Sequence, residues 1–202
     1  GEPNDGLRAM FTMMNNARLG VGGQGIGVAE AAFQHSTEYA LNRKQGKSTI
    51  QNKHGTIIDH ADVRRMLISM RADIFASRSI QLENAKAIDM ANATGEPEWI
   101  NKAAFLTPIT KVFGTEIGIN ISNLGVQIHG GMGFIEETGA AQFSRDVRVT
   151  AIYEGTNGIQ AMDLVGRKMM DNGETAYAII NQIKEYIDNL AGVKKDLSGL
   201  LE

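Results

Sequence analysis

The feature that most constrains this chain is a glycine-rich run inside a segment of helical period. Apolar or small residues recur at Leu7, Phe11, Met14, Val21, Gly25, Val28, Ala32 and Tyr39, mostly three, four or seven apart. Six of the eight residues from Gly20 to Gly27 are not branched or aromatic, and five are glycine: Gly20, Gly22, Gly23, Gly25 and Gly27. Each glycine is about 1 kcal/mol worse than alanine inside a helix. A helix that keeps them must gain elsewhere, by letting another helix or a ligand approach a face without side chains. Gly20, Gly23, Gly27 and Ala31 share one face and are the expected contact. We read one long helix from about Gly6 to Lys44.

The same run matches G-x-G-x-x-G at Gly20, Gly22 and Gly25. A dinucleotide fingerprint needs a strand before it and a parallel sheet around it. Helical periodicity precedes the run and no later strands follow, so close helix packing is the better reading.

The rest of the chain is also helical in pattern. A polar, turn-prone stretch spans Gln45 to Gly55. A second helix opens at Asp59 or His60 and ends near Asn92 or Gly95, with an apolar stripe of Val63, Met66, Leu67, Met70, Ile74, Ser77 and Leu82. Residues 97–106 read as a turn or short helix. Thr107-Pro108 reads as a helix start, a capping hydroxyl followed by proline at the first helical position. That third helix continues through Val112, Phe113, Ile117 and Leu124 to about Ile128 and stops at Gly130-Gly131. Residues 135–153 read as irregular with one short helix. A fourth helix runs from Gly155-Thr156 to Met170, and a last one from Glu174 to about Leu190, before a polar, loose tail.

Composition agrees with this pattern. Only three prolines, at positions 3, 97 and 108, punctuate 202 residues, too few for a β-rich domain. Hydrophobic residues make up 43% and charged residues 21%, which excludes a disordered chain. The net charge of −3 offers no basic excess for nucleic acid. No apolar run approaches the length of a membrane span. The chain has no cysteine, so thiol catalysis and cysteine-bound metals are excluded. Its four histidines, at 35, 54, 60 and 129, have no metal-ligand spacing, and no metal site is expected. His35, His54 and His60 read as packing or surface residues. The first residue is glycine, not methionine, and we expect a fragment of a longer protein.

Two stretches carry candidate chemistry. Gln127-Ile-His-Gly-Gly-Met-Gly-Phe134 ends a helix in glycines. It is a helix C-cap and turn, or a set of amides open to a phosphate or flat cofactor. In Ile152-Tyr-Glu-Gly-Thr-Asn-Gly-Ile-Gln160 a carboxylate precedes a helix start. Glu154 is there an acid favoured by the helix dipole, or a carboxylate at the mouth of a site beside anion-binding amides.

Together these two stretches, in this order and with Arg145-Asp146 between them, resemble the C-terminal helical domain of the acyl-CoA dehydrogenases. Arg18, the small-residue stretch and Tyr39-Ala-Leu-Asn-Arg43 resemble that family's first helix. The resemblance covers about residues 1–170. Details such as Asp62-Val-Arg-Arg-Met-Leu and Glu154-Gly-Thr-Asn-Gly-Ile-Gln look most like its longer, 3-methylmercaptopropionyl-CoA dehydrogenase-like branch. The implied fold is all-α, an antiparallel helical bundle. Residues 171–202 would be an extra helix and loose tail, the start of a further C-terminal domain.

The resemblance implies an FAD enzyme that converts an acyl-CoA thioester to trans-2-enoyl-CoA. The α-proton goes to a carboxylate base and the β-hydride to flavin N5. Glu154 matches the base. Its own backbone N–H would help hold the thioester oxygen, the kind of donor that stabilises a developing enolate. Arg43, Gln127, Gly130 and Gly131 match residues that reach FAD from a neighbouring subunit, and Thr156 matches a threonine near the flavin. Arg18, Tyr153 and Gly155 match the substrate side. The implied partners are acyl-CoA, an electron-transferring flavoprotein and further copies of the chain, as a dimer or tetramer. The expected setting is a bacterial-type cytoplasm, with a mitochondrial matrix as the alternative. Three departures stand out: Gln45-Gly46 replaces the family's usual Phe-Gly, Ala17 replaces a hydroxyl residue, and Gly158 stands where some relatives have glutamine. The weighed alternatives are a non-catalytic helical domain for assembly or partner binding, and an oxidase that passes electrons to oxygen. Without upstream domains, this chain is expected to bind FAD weakly or not at all.

Overall fold

The computed structural model describes residues 2–48, 50 and 55–197. The described residues form helices and turns with no strand, save one isolated bridge between Lys44 and Thr56. Three long helices dominate: α1 (Gly6–Asn42), α2 (Ala61–Thr94) and α3 (Pro97–His129). Shorter ones follow: α4 (Gly131–Phe134), α5 (Ala140–Val147), α6 (Asn157–Asp163) and α7 (Glu174–Leu197). None is long and apolar enough to cross a membrane, among the described residues. His54 and the tail beyond Leu197 lie outside the described residues.

The long helices run up, down, up. Glu30 of α1 pairs with Arg71 and Arg78 of α2, and the Gln81 amide donates to Leu19, so α2 runs antiparallel to α1. The α2–α3 link is two residues, Gly95 and Glu96, and Gly95 supplies the left-handed turn at φ 69° that ends α2. This leaves α1 and α3 parallel. They meet backbone to backbone. A Cβ placed on Gly22 would lie 2.8 Å from the Thr110 carbonyl oxygen, and one on Gly118 would lie 2.7 Å from that of Gly25. Gly25 and Gly114 are just as tightly opposed to the partner helix.

The glycine run therefore packs a neighbouring helix, as its composition requires, but through a different face from the one expected. Gly20 and Gly27 have nothing within 4 Å of a Cβ, and Gly23 meets only the flexible Gln81 amide. The buried stripe of α1 is Arg18, Val21, Gly22, Gly25, Ile26, Ala29, Ala32, Ser36 and Ala40. Its spacing of three, four and seven continues past the glycines, and that continuation identifies the contact face. Gly20, Gly23 and Gly27 lie beside it.

Below this contact lies an apolar core of Ile26, Ala29, Met66, Leu67, Met70, Ile74, Ile117, Ile121 and Ile128. The α2 stripe follows the expected residues as far as Ser77, then passes to Asn84 and Ala87. Leu82 is 64% exposed, because it falls on the opposite side of the helix from Asn84 and Ala87.

The third helix starts eleven residues earlier than expected. Pro97, in the first turn of α3, is the proline that starts it, and Pro108 is fully buried inside it. The Thr107 hydroxyl donates to the Ala103 carbonyl 2.8 Å away instead of capping a terminus. An internal proline costs about 3 kcal/mol. Burial of Ala103, Leu106 and Thr107 before it and of Thr110 after it offsets that cost. The fourth helix is shorter than expected: α6 gives way at Leu164–Lys168 to a π-helical turn.

Substitution separates the two kinds of glycine. We expect Gly25→Val to lower stability by at least about 2 kcal/mol, since backbone must move. Gly20→Ala should raise it by about 0.5–1 kcal/mol by removing unfolded-state freedom. Urea midpoints of the two variants test this.

Candidate active site

The segment from Ile152 to Gln160 is a loop that becomes a helix. Glu154 and Gly155 both have left-handed backbone, with φ of 53° and 82°. Glycine adopts this freely; a glutamate there costs about 1 kcal/mol and persists only where its surroundings hold it. The hold comes from below. Gln160 is fully buried, and its side-chain amide donates to the carbonyls of Glu154 and Gly155 at 3.4 and 3.3 Å. A Cβ on Gly155 would stand 2.7 Å from that amide nitrogen, and the φ of 82° strains any residue but glycine. Thr156 caps α6 by accepting from the Ile159 N–H at 3.2 Å. The Glu154 side chain is half-buried and makes no hydrogen bond or ion pair among the described residues.

Arg18 and Tyr153 bind this loop to α1. Arg18 is only 6% exposed. Its guanidinium donates to Asn15 at 3.2 Å and pairs with Asp163 at 3.4 Å, and it lies close to Gly155. It also lines a cavity of about 400 Å³ with Asn15, Thr107, Pro108 and Asp163. The Tyr153 hydroxyl donates to the Gln24 side chain. Arg18, Tyr153, Glu154, Gly155 and Thr156 are thus assembled in one place.

Arg43, Gln127, Gly130 and Gly131 are gathered at the other end of α1. Arg43 is the exposed C-cap residue of α1, and its side chain has no described partner. Gln127 is exposed, and its carbonyl accepts from the Gly130 N–H at 3.1 Å. A Cβ on Gly130 or Gly131 would meet nothing within 4 Å, so this lip of backbone is open. Stacked rings join the two helix ends. Tyr39 lies 4.2 Å from His129, and His35 lies 4.7 Å from it on centroid distances. Twenty-five residues of continuous helix separate Arg18 from Arg43, about 37 Å at the usual rise.

An open glycine lip beside an unpaired arginine suits an anionic group. A capped helix N-terminus beside a half-buried carboxylate suits a site where a proton leaves carbon.

Sequence reading did not anticipate Asp163, Gln24, Asn157 or Lys111 as supports of this site. Asp163 shows no signal in sequence, since its pairing with Arg18 spans 145 positions. Lys111 does carry one: it is a lone cation in an otherwise uncharged run from Ala103 to Thr115, and it is fully buried.

An uninterrupted up-down-up bundle whose centre is glycine backbone, carrying a strained Tyr-Glu-Gly-Thr loop at one end and a glycine lip at the other, defines a class of helical-bundle domain. The model of the acyl-CoA dehydrogenase C-terminal domain matches residues 4–170. The chain belongs to that family. It is 45% identical over 204 residues to 3-methylmercaptopropionyl-CoA dehydrogenase of Ruegeria pomeroyi, covering 98% of this chain and 34% of that one. It is 34% identical over 191 residues to a butyryl-CoA dehydrogenase of Syntrophomonas wolfei, covering 91% and 31%. The solved structure of butyryl-CoA dehydrogenase from Megasphaera elsdenii superposes with a TM-score of 0.69 at 29% identity, over 82% of this chain and 39% of that one. The chain spans about a third of the length of these curated relatives.

The His129 ring gives a pH test of the lip. Its Nδ1 bonds to the Gly125 carbonyl at 2.7 Å, while Nε2 is buried without a partner. Burial holds its pKa below the ordinary 6.5, and the neighbouring His35 adds to the shift. The unfolded chain therefore takes up the proton first, and stability falls as the pH drops below 6.5. We expect His129→Leu to flatten that part of the profile of unfolding midpoint against pH.

Proposed function

We propose that the chain is the C-terminal part of a flavin-dependent acyl-CoA dehydrogenase, oxidising an acyl-CoA thioester to trans-2-enoyl-CoA. The observation that carries this reading is the Glu154 loop. Its carboxylate is unpaired and half-buried, on a backbone that Gln160 and the Thr156 cap hold in an otherwise disfavoured conformation. Such a group is pre-placed to take a proton rather than to stabilise the fold.

In this reading Glu154 removes the α-proton. Its backbone N–H, unused by any described partner, helps hold the thioester oxygen as negative charge develops. Arg18 and Tyr153 border the substrate side, and Gly155 keeps the loop close to Gln160. FAD, when bound, accepts the β-hydride. Thr156 would lie near its isoalloxazine, and Arg43, Gln127, Gly130 and Gly131 would hold its adenylate.

The 25-residue separation of the two groups along α1 supports a site completed by a second copy of the chain, one supplying the base and the other the lip. A homo-oligomer, dimer or tetramer, follows from that reading. An electron-transferring flavoprotein would then reoxidise the cofactor. Residues 171–202, beyond the family match, would begin a further segment of the whole protein. Similarity to 3-methylmercaptopropionyl-CoA dehydrogenase makes a sulfur-containing acyl group a candidate substrate.

The test uses the full-length protein loaded with FAD and mixed anaerobically with a panel of acyl-CoAs. We expect flavin absorbance to bleach with one chain-length class, and bleaching to slow by at least about 10³-fold in Glu154→Gln, as loss of a general base requires. No bleaching by any thioester, with flavin bound, would turn the reading to a non-catalytic assembly domain. Rapid reoxidation in air would instead indicate an oxidase.

A further inference from the structure

Lys111 sits in the middle of α3 with no exposed surface. A buried ammonium is expensive to desolvate, and an apolar side chain of similar volume is often the more stable choice. No carboxylate pairs with it. Its one hydrogen bond among the described residues runs 2.8 Å from Nζ to the side-chain oxygen of Asn157, the first residue of α6. Asn157 is otherwise fully engaged with α3. Its amide nitrogen donates to Glu116 at 2.6 Å and to the Thr115 hydroxyl at 3.1 Å. The Thr115 hydroxyl bonds back to the Lys111 carbonyl at 2.9 Å, so bracket and lysine share one turn of helix.

What this bracket holds lies one residue before it. Thr156 precedes Asn157, and Glu154 and Gly155 precede Thr156 in left-handed backbone. Gln160 supports that loop from the second turn of α6, so the loop is only as well placed as α6 itself.

We infer that Lys111 is a positioning residue for Glu154: by holding Asn157 against α3 it sets where α6 starts and hence where the Glu154 loop stands. This deepens the dehydrogenase reading and rests on it. Desolvation, with the nearby Arg18 charge, brings the Lys111 pKa down to about 8, and Glu116 opposes the shift. The lysine is thus still largely charged at neutral pH, and its burial works against stability rather than for it.

That conflict gives a test that a purely structural role would not pass. In the FAD-loaded full-length protein, Lys111→Met should slow flavin reduction by acyl-CoA about 10- to 100-fold, the loss expected from a slight misplacement of a reacting group. The unfolding midpoint at pH 7 should stay level or rise, and half-saturation by substrate should change less than about twofold. Asn157→Ala should reproduce the slowing with the lysine still in place, at a cost in stability because the buried ammonium loses its partner, and keeps the test readable if Lys111→Met fails to load flavin. The double variant should be no slower than the slower single one, because both act through one contact.

Flavin reduction at the wild-type rate in folded Lys111→Met, or losses that multiply in the double variant, would overturn the inference and leave the dehydrogenase reading intact. A wild-type protein that no thioester bleaches would overturn both.

Discussion

Contact between the backbones of α1 and α3 is the constraint on which the rest of this structure depends. Where Gly22 and Gly25 meet Thr110, Gly114 and Gly118, no side chain separates the helices. Two parallel helices held that closely cannot slide or rotate freely, since each carbonyl fills the notch of a missing Cβ. Register between them is therefore set at the centre of the bundle and carried outward in both directions. The loss of helix propensity at Gly22, Gly25, Gly114 and Gly118 is the counterpart of that register.

Both functional ends inherit it. Toward the start of α1, the register places Arg18 and Gln24 of α1, and Lys111 and Thr115 of α3, around the loop and short helix from Tyr153 to Asp163. Toward the other end it stacks Tyr39 on His129, so that the α1 C-cap and the glycine lip are neighbours. Val147, at the end of α5, closes on Gly118 beside this contact. A helix pair separated by leucines could form the same bundle, but with more freedom in where those ends fall.

The site conserves little stability of its own. Glu154 has disfavoured backbone, Lys111 is a buried cation and Arg18 is a buried cation paired at 3.4 Å, longer than a strong hydrogen-bonded pair. Sites that spend stability in this way are usually functional, and the apolar core of Met66, Met70, Ile74, Ile117 and Ile121 stands apart from them.

Much of this was legible in the sequence, because its strongest signals are local. Period-3.6 spacing marked the long helices, glycines marked the ends of α2 and α3, and the Tyr-Glu-Gly-Thr and Gln-Ile-His-Gly-Gly stretches marked the candidate site residues. Local signals failed where a distant contact outweighed them. Thr107-Pro108 has the form of a helix start, yet burial on both sides of it keeps α3 running through. Gly20 and Gly22 differ in sequence only by two positions, and only the arrival of Thr110 decides which of them must be glycine. Asp163 and Lys111 became part of the site through packing alone, because charge pairing and desolvation act through space across separations that no motif spans. The sequence by itself determined the helices and the residue types that could do chemistry; the tertiary structure decided which faces meet, and so which of those residues stand together.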